Sequence, residues 1–285
     1  MLAAGQGRRT LLCEIEPGGA VAAALETGPL AFEARELQPN LSAMAMDTEA
    51  SLREYLALQL RIPFMARLGP LARTFDFVAT AAPGVKEILT IGKLCWEVRE
   101  RHYDLVVVDA SASGHVVAQI TAPDTIARLV QVGLVRNQTS WMREILHDPA
   151  QTGTVIVTSP EEMPVAETIE LAERLREGAQ VDLSAVIVNR VLPELFGRSE
   201  EERFELLRTG DAMALLRAEV GPGIEHVLDA AALAVSLRRE RAGHLARLRD
   251  ALQSVPLVYV PEQFARFAGR RTVNRVAEAL AEEIL

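Results

Sequence analysis

Five short stretches of this 285-residue sequence set polar side chains directly after apolar runs. Leu105-Val106-Val107-Val108 ends in Asp109, followed by Ala-Ser-Ala-Ser-Gly114-His115. A carboxylate delivered by a buried aliphatic strand to a sheet edge is suited to hold a hydrated Mg²⁺ beside phosphates. On its own the pattern also fits a turn or a helix cap. The small residues after Asp109 supply hydroxyls and backbone N–H groups on a stretch flexible enough to act as a switch loop. His115 either senses that switch or caps the following helix. Thr10 to Ile15 runs into Glu16-Pro17-Gly18-Gly19, Ala185 to Val188 into Asn189-Arg190, and Leu257 to Val260 into Pro261-Glu262. The fifth run, Thr154 to Thr158, leads into Ser159-Pro160-Glu161-Glu162.

These polar ends need a scaffold that gathers them. The five runs are Val/Ile/Leu-rich and scarcely alternate, the pattern of strands covered on both faces. Helical spacing lies between them, over Asp124 to His147, Pro164 to Glu177 and Thr272 to Leu285. Alternation of strand and helix predicts an α/β, doubly wound, mainly parallel sheet, in which ligands meet the carboxyl ends of the strands. About ninety residues separate Glu16 from Leu105, too many for a simple crossover. Helices broken at Pro63, Gly69-Pro70 and Pro83-Gly84 are expected there, and a second helical excursion is broken at Gly221-Pro222-Gly223. The expectation is one domain over 1–285 with a helical subdomain built from segments at about 47–101 and 193–254.

Composition narrows the classes. Hydrophobic residues are 49% and charged residues 24%, which excludes disorder and fibrous repeats. A net charge of −9 and a pI near 5.2 argue against sequence-independent nucleic-acid binding. The longest uncharged stretch, Ala110 to Pro123, is too short to span a bilayer, and the first residues lack the regions of a secretory signal, so a cytoplasmic protein is expected. Cys13 and Cys95, 82 positions apart among apolar neighbours, read as buried reduced thiols. Leu52 to Leu71, with Tyr55, Phe64 and Met65, reads as helical packing surface, with a client groove as the alternative. Arg238-Arg239-Glu240-Arg241 with Arg247 and Arg249 reads as a solvated helix face, with an anionic partner as the alternative.

The order of these motifs resembles the ArsA-type ATPases, the group of the arsenical pump-driving and tail-anchored-protein targeting ATPases. In that family switch I reads Ser-Thr-Asp-Pro-Ala-His-Ser, and Glu14-Ile15-Glu16-Pro17-Gly18-Gly19-Ala20 stands in its place, with Glu16 at the Asp position. Switch II reads Asp-Thr-Ala-Pro-Thr-Gly-His with a Pro eight residues on, a frame kept by Asp109, Gly114, His115 and Pro123. Asn189-Arg190-Val191-Leu192-Pro193 is similar to the adenine-contacting segment, and Val260-Pro261-Glu262 to the loop lining the other side of the base. The likeness runs from residue 9 to the C-terminus.

What the resemblance implies is an ATP- or ADP-binding switch. Glu16 would orient or activate water, Asp109 would hold Mg²⁺ directly or through water, and Asn189, Arg190, Pro261, Glu262, Gly114 and His115 would contact nucleotide. It also implies a homodimer or a heterodimer with a related ATPase subunit, and a protein client. The family's phosphate loop, Gly-Lys-Gly-Gly-Val-Gly-Lys-Thr, has no counterpart, and Gly5-Gln6-Gly7-Arg8-Arg9 matches the end of the helix that follows it. Two readings stay open: an ATPase missing its first strand and loop, inactive without them, or a pseudo-ATPase serving as a non-catalytic partner or scaffold. The family's Cys-x-x-Cys zinc pair and clustered arsenite thiols are both absent from the sequence.

Overall fold

The computed structural model describes residues 1–60, 84–111, 113–129, 134–264 and 269–284. The predicted breaks at Pro63 and Gly69-Pro70, together with Phe64, Met65 and Pro83, fall outside those residues. Two compact units are distinguished: Met1–Val155 with Glu170–Ser184 and Ala265–Leu285, and Ile156–Ile169 with Ala185–Phe264.

The first sheet, in the first unit, contains β1 (Thr10–Glu14), β2 (Arg35–Gln38), β3 (Leu41–Ala45) and β4 (Leu105–Asp109), in the order β2-β3-β1-β4. β1 pairs in parallel with β3 and with β4, and only the β2–β3 hairpin is antiparallel. β1 is buried along its length because strands lie on both sides of it and Leu11, Cys13 and Ile15 join Met44, Met46 and Leu94 in one core cluster. The hairpin turns at Asn40, whose φ of 64° suits asparagine better than most residues. β4 forms the other edge of this sheet.

Helices α1 (Leu2–Gly5), α2 (Ala20–Ala24), α3 (Thr48–Leu60), α4 (Val85–Arg99), α5 (Ser113–Leu129) and α6 (Leu134–Leu146) accompany these strands. α4 packs on α6 through Ile91, Cys95, Met142, Ile145 and Leu146. Of the stretch expected to be helical over Asp124 to His147, the described residues up to Leu129 and from Leu134 to Leu146 are helical, and the helix begins eleven residues earlier, at Ser113. Pro123 sits buried inside α5 although it donates no backbone bond. The Thr121 and Thr125 hydroxyls donate to the carbonyls of Val117 and Thr121 around it, adding side-chain bonds where the proline gives none.

The second sheet has the order β5-β6-β7, from Gly153–Thr158, Asp182–Val191 and Leu257–Pro261, and β6 and β7 are parallel. α7 (Glu162–Arg174) runs into a π-helical turn at Leu175–Ala179 before β6. α8 (Arg198–Leu207), α9 (Gly210–Val220) and α10 (Ile224–Ala251) lie between β6 and β7, and α11 (Arg270–Ile284) follows. The chain is thus mixed α/β with mainly parallel pairing, as the alternation of apolar runs and helical segments requires. Among the described residues, no helix is long and apolar enough to cross a membrane.

Candidate functional site

Parallel pairing sets Glu14 beside Asp109, the last residues of β1 and β4, at the carboxyl edge of the first sheet. Residues at one register position of neighbouring strands share a face, so two carboxylates meet there. Glu14 is only 3% exposed. Its Oε1 accepts backbone N–H bonds from Ala20 at 3.0 Å and Val21 at 3.4 Å, the opening residues of α2. Backbone bonds hold the same corner: the Ile15 N–H donates to the Asp109 carbonyl at 3.1 Å and the Met46 N–H to the Glu14 carbonyl at 2.8 Å.

Glu16 lies on the exposed turn between β1 and α2. The Gly18 N–H donates to the Glu16 carbonyl at 2.6 Å, and Gly19 takes φ 76°, which a side chain would strain. Asp109 holds its proton more tightly than an ordinary carboxyl, because of partial burial and then the charge of Glu14. That excess negative charge fits a divalent cation, since Mg²⁺ is held by one or two carboxylates with water and phosphate oxygens completing its shell. Among the described residues, no group of three or more His, Cys, Asp or Glu side chains is placed to hold a metal.

Gly114 and His115 stand in the first turn of α5 rather than in an open loop. One turn further on, the buried Gln119 donates from Nε2 to Ser111 Oγ at 3.0 Å, while its Oε1 has no hydrogen-bond partner among the described residues. Both lysines of the sequence, Lys86 and Lys93, lie in α4, and Lys93 is engaged by Glu54 and Glu97.

The second group of expected residues gathers in the second unit, where β6 and β7 end side by side. Val191 is in register with Pro261 after a shift in the pairing beyond Val188. Within that irregular stretch Arg190 adopts φ 60°, and Asn189 Oδ1 accepts the Arg190 N–H at 2.9 Å. Arg190 Nε pairs with Glu262 Oε2 at 2.9 Å, and the Glu262 N–H donates to the Val191 carbonyl at 2.9 Å. Asn189, Arg190, Pro261 and Glu262 therefore form one cluster. Among the described residues, the amide nitrogen of Asn189 makes no hydrogen bond within this cluster.

Residue types and spacing pointed to Glu16 and missed Glu14. The available signal was a carboxylate closing a buried strand immediately ahead of a Pro-Gly-Gly turn. The arginine run on α10 is engaged rather than freely solvated: Arg238 with Glu194 and the Leu192 carbonyl, Arg239 with Glu201, and Arg241 with Glu161.

Residues 1–140 and 134–208 match the family described as anion-transporting ATPase. The ATPase BagA of Mycobacterium tuberculosis is 30% identical over 203 residues, which are 67% of this chain and 59% of that protein. A protein named as an arsenical pump-driving ATPase from Halobacterium salinarum is 24% identical over 266 residues, 86% of this chain and 39% of its own length. ATPase GET3 of Chaetomium globosum is 27% identical over 100 residues, 35% of this chain and 29% of that protein. The chain spans about three-fifths of the length of its mycobacterial relatives.

Proposed function

The chain belongs to the anion-transporting (ArsA) ATPase family, and from that premise we propose that it is the switch-bearing and base-binding portion of an ATP-hydrolysing protein that couples nucleotide state to a partner or client. The observation that carries this reading is the meeting of Glu14, the Glu16 turn and Asp109 at the carboxyl ends of neighbouring parallel strands. In this reading Asp109 holds Mg²⁺, directly or through water, and the exposed Glu16 orients or activates the attacking water. Gly114 and His115 lie close enough in sequence to Asp109 to follow its ligand state. Asn189, with Arg190, Pro261 and Glu262, receives the adenine. Bound Mg-ATP would contribute the reacting phosphoryl group and its counter-charge.

The phosphate cradle would come from outside these 285 residues. Supporting that is the open outer edge of β4, where Val107 and Val108 are 42% and 37% exposed although they point to opposite faces of the sheet. An apolar edge such as Leu105–Val108, without lysine, proline or bulge, seldom ends a sheet, so a further strand with its own covering helix suits this edge. Val155 and Val157 on β5, an edge of the second sheet, are likewise exposed.

One observation favours the pseudo-ATPase alternative. Of the two lysines, Lys93 is held by Glu54 and Glu97 and Lys86 lies in the first turn of the same helix α4, and Glu14 adds negative charge where the family pattern has serine. A homodimer or a heterodimer with a related subunit, and a client on the helical segments, belong to the same proposal.

ATP turnover by the protein as its host expresses it, with Asn189→Ala beside it, tests the reading. Steady hydrolysis is expected, with nucleotide affinity about tenfold weaker in the variant for one lost hydrogen bond of about 1.4 kcal/mol. Turnover that is absent while the protein is folded would support the scaffold alternative. Unchanged affinity in Asn189→Ala would overturn the adenine assignment.

A further inference from the structure

We infer that Glu14 is a positioning residue, whose buried carboxylate clasps the first turn of α2 and so sets the conformation of the turn that carries Glu16. A carboxylate this deeply buried is costly unless its oxygens are satisfied. Among the described residues no cation pairs with Glu14, and its Oε1 accepts from the backbone N–H groups of Ala20 and Val21. Those groups need an acceptor because the first N–H groups of a helix have none within it. The residue at the capping position is Gly19, which has no side chain to offer. Glu14 supplies that acceptor from six residues upstream.

The result is a closed ring of chain. Its fixed base is Glu14 itself, held by Met46 on one side and, through Ile15, by the Asp109 carbonyl on the other. Its far end is the start of α2. Between them run Ile15, Glu16, Pro17, Gly18 and Gly19, and two glycines in five residues leave that stretch many alternatives once the clasp opens. α2 is five residues long, too short to hold its own first turn, so the Glu14 bonds decide where the Glu16 turn ends.

The role assigned to Glu14 rests on the reading of Glu16 as the residue that handles water, whereas the clasp itself is measurable without nucleotide. Amide hydrogen exchange at Ala20 and Val21 would be followed by NMR in the wild-type chain and in Glu14→Gln, Glu14→Asp and Glu14→Leu. Gln keeps the acceptor at full reach, and exchange within about threefold of wild type is expected. Asp is one methylene short and Leu has no acceptor, and exchange at both amides should quicken by roughly tenfold or more. If Leu does not fold, Asp carries the comparison. Unchanged exchange in Asp, or Gln behaving like Asp, would overturn the clasp. In the form that hydrolyses ATP, Glu14→Asp should lower kcat about tenfold or more with KM within about twofold, and Glu14→Gln should restore it. Equal kcat in wild type and Glu14→Asp would overturn the positioning role. A wild type with no turnover would refute the hydrolytic reading while the exchange result still decides the clasp.

Discussion

Lys93→Met tests how the floor beneath β1 is held. Lys93 Nζ lies 2.8 Å from Glu54 Oε1 and 2.7 Å from Glu97 Oε1, and His102 Nδ1 lies 2.7 Å from the other oxygen of Glu97. The Lys93 and Glu97 side chains are 11% and 9% exposed, and Lys93 also sits 5.2 Å from the Phe32 ring centroid, against the cluster that contains Cys13. Burial pulls the ammonium's pKa down, and the bonds to Glu54 and Glu97 outweigh it, leaving lysine above its ordinary value. Its contribution is therefore intact at neutral pH and fades only as pH climbs through and beyond the ordinary lysine range.

Each contact is worth about 6 kcal/mol of gross attraction at an effective dielectric near 20, most of it offset by desolvation. Methionine preserves volume and leaves Glu97 buried with His102 alone. A fully buried orphan costs about 3–5 kcal/mol, and half-buried Glu54 can turn to water, so a loss of about 2–4 kcal/mol is expected. Urea unfolding followed by Trp96 and Trp141 fluorescence measures it, with Lys93→Met/Glu97→Gln as the companion. The double variant should recover about 1 kcal/mol or more by removing the orphaned charge. A single-variant loss below about 1 kcal/mol, or a double variant no more stable than the single, would refute the reasoning.

Burial pushes the thiols of Cys13 and Cys95 up to about 12. Alkylation by iodoacetamide at pH 8 should be about a thousandfold slower in the folded chain than in urea, and comparable rates would contradict the burial. Because the folded state keeps protons that the unfolded state loses above the ordinary thiol value of 9.0, stability should fall as pH rises from there toward about 12. Val107→Lys should change the unfolding free energy of this chain, measured in urea, by no more than about 0.5 kcal/mol, since the side chain is already open to solvent. In a longer form whose β4 edge is paired, the same change should cost about 2 kcal/mol or more, and equal small losses in both forms would argue against an added strand there.

The strands named from apolar runs all form, because aliphatic runs of four to six residues bounded by polar turns leave few alternatives. β2 and β3 were not legible. Arg35–Gln38 is a polar exposed edge, and Leu41–Ala45 is built from Ser, Ala and Met, whose strand preference is weak and whose place comes from packing on β1. The start of α5 was hidden by Pro123 and by the β-branched residues ahead of it. Of the candidate site, the placement of Asp109 at a strand end and of Asn189 and Glu262 at the ends of β6 and β7 was readable from the apolar runs. The clasp by Glu14 was not, since it depends on which side chain the sheet buries and on α2 lacking a capping side chain. The Arg190–Glu262 pair joins residues 72 apart, and only the parallel register of β6 and β7 reveals it.

The central claim is that these residues form the switch and base-binding portion of an ATP site whose phosphate grip lies elsewhere. Calorimetric titration of Mg-ATP into this chain, and into the same chain preceded by a strand and phosphate loop of the family type, tests it most directly. The account predicts no measurable heat of binding for the chain alone and saturable binding, lost with Asp109→Ala, once the loop is present. Equal binding with and without the loop, or none in either case from folded protein, would contradict it.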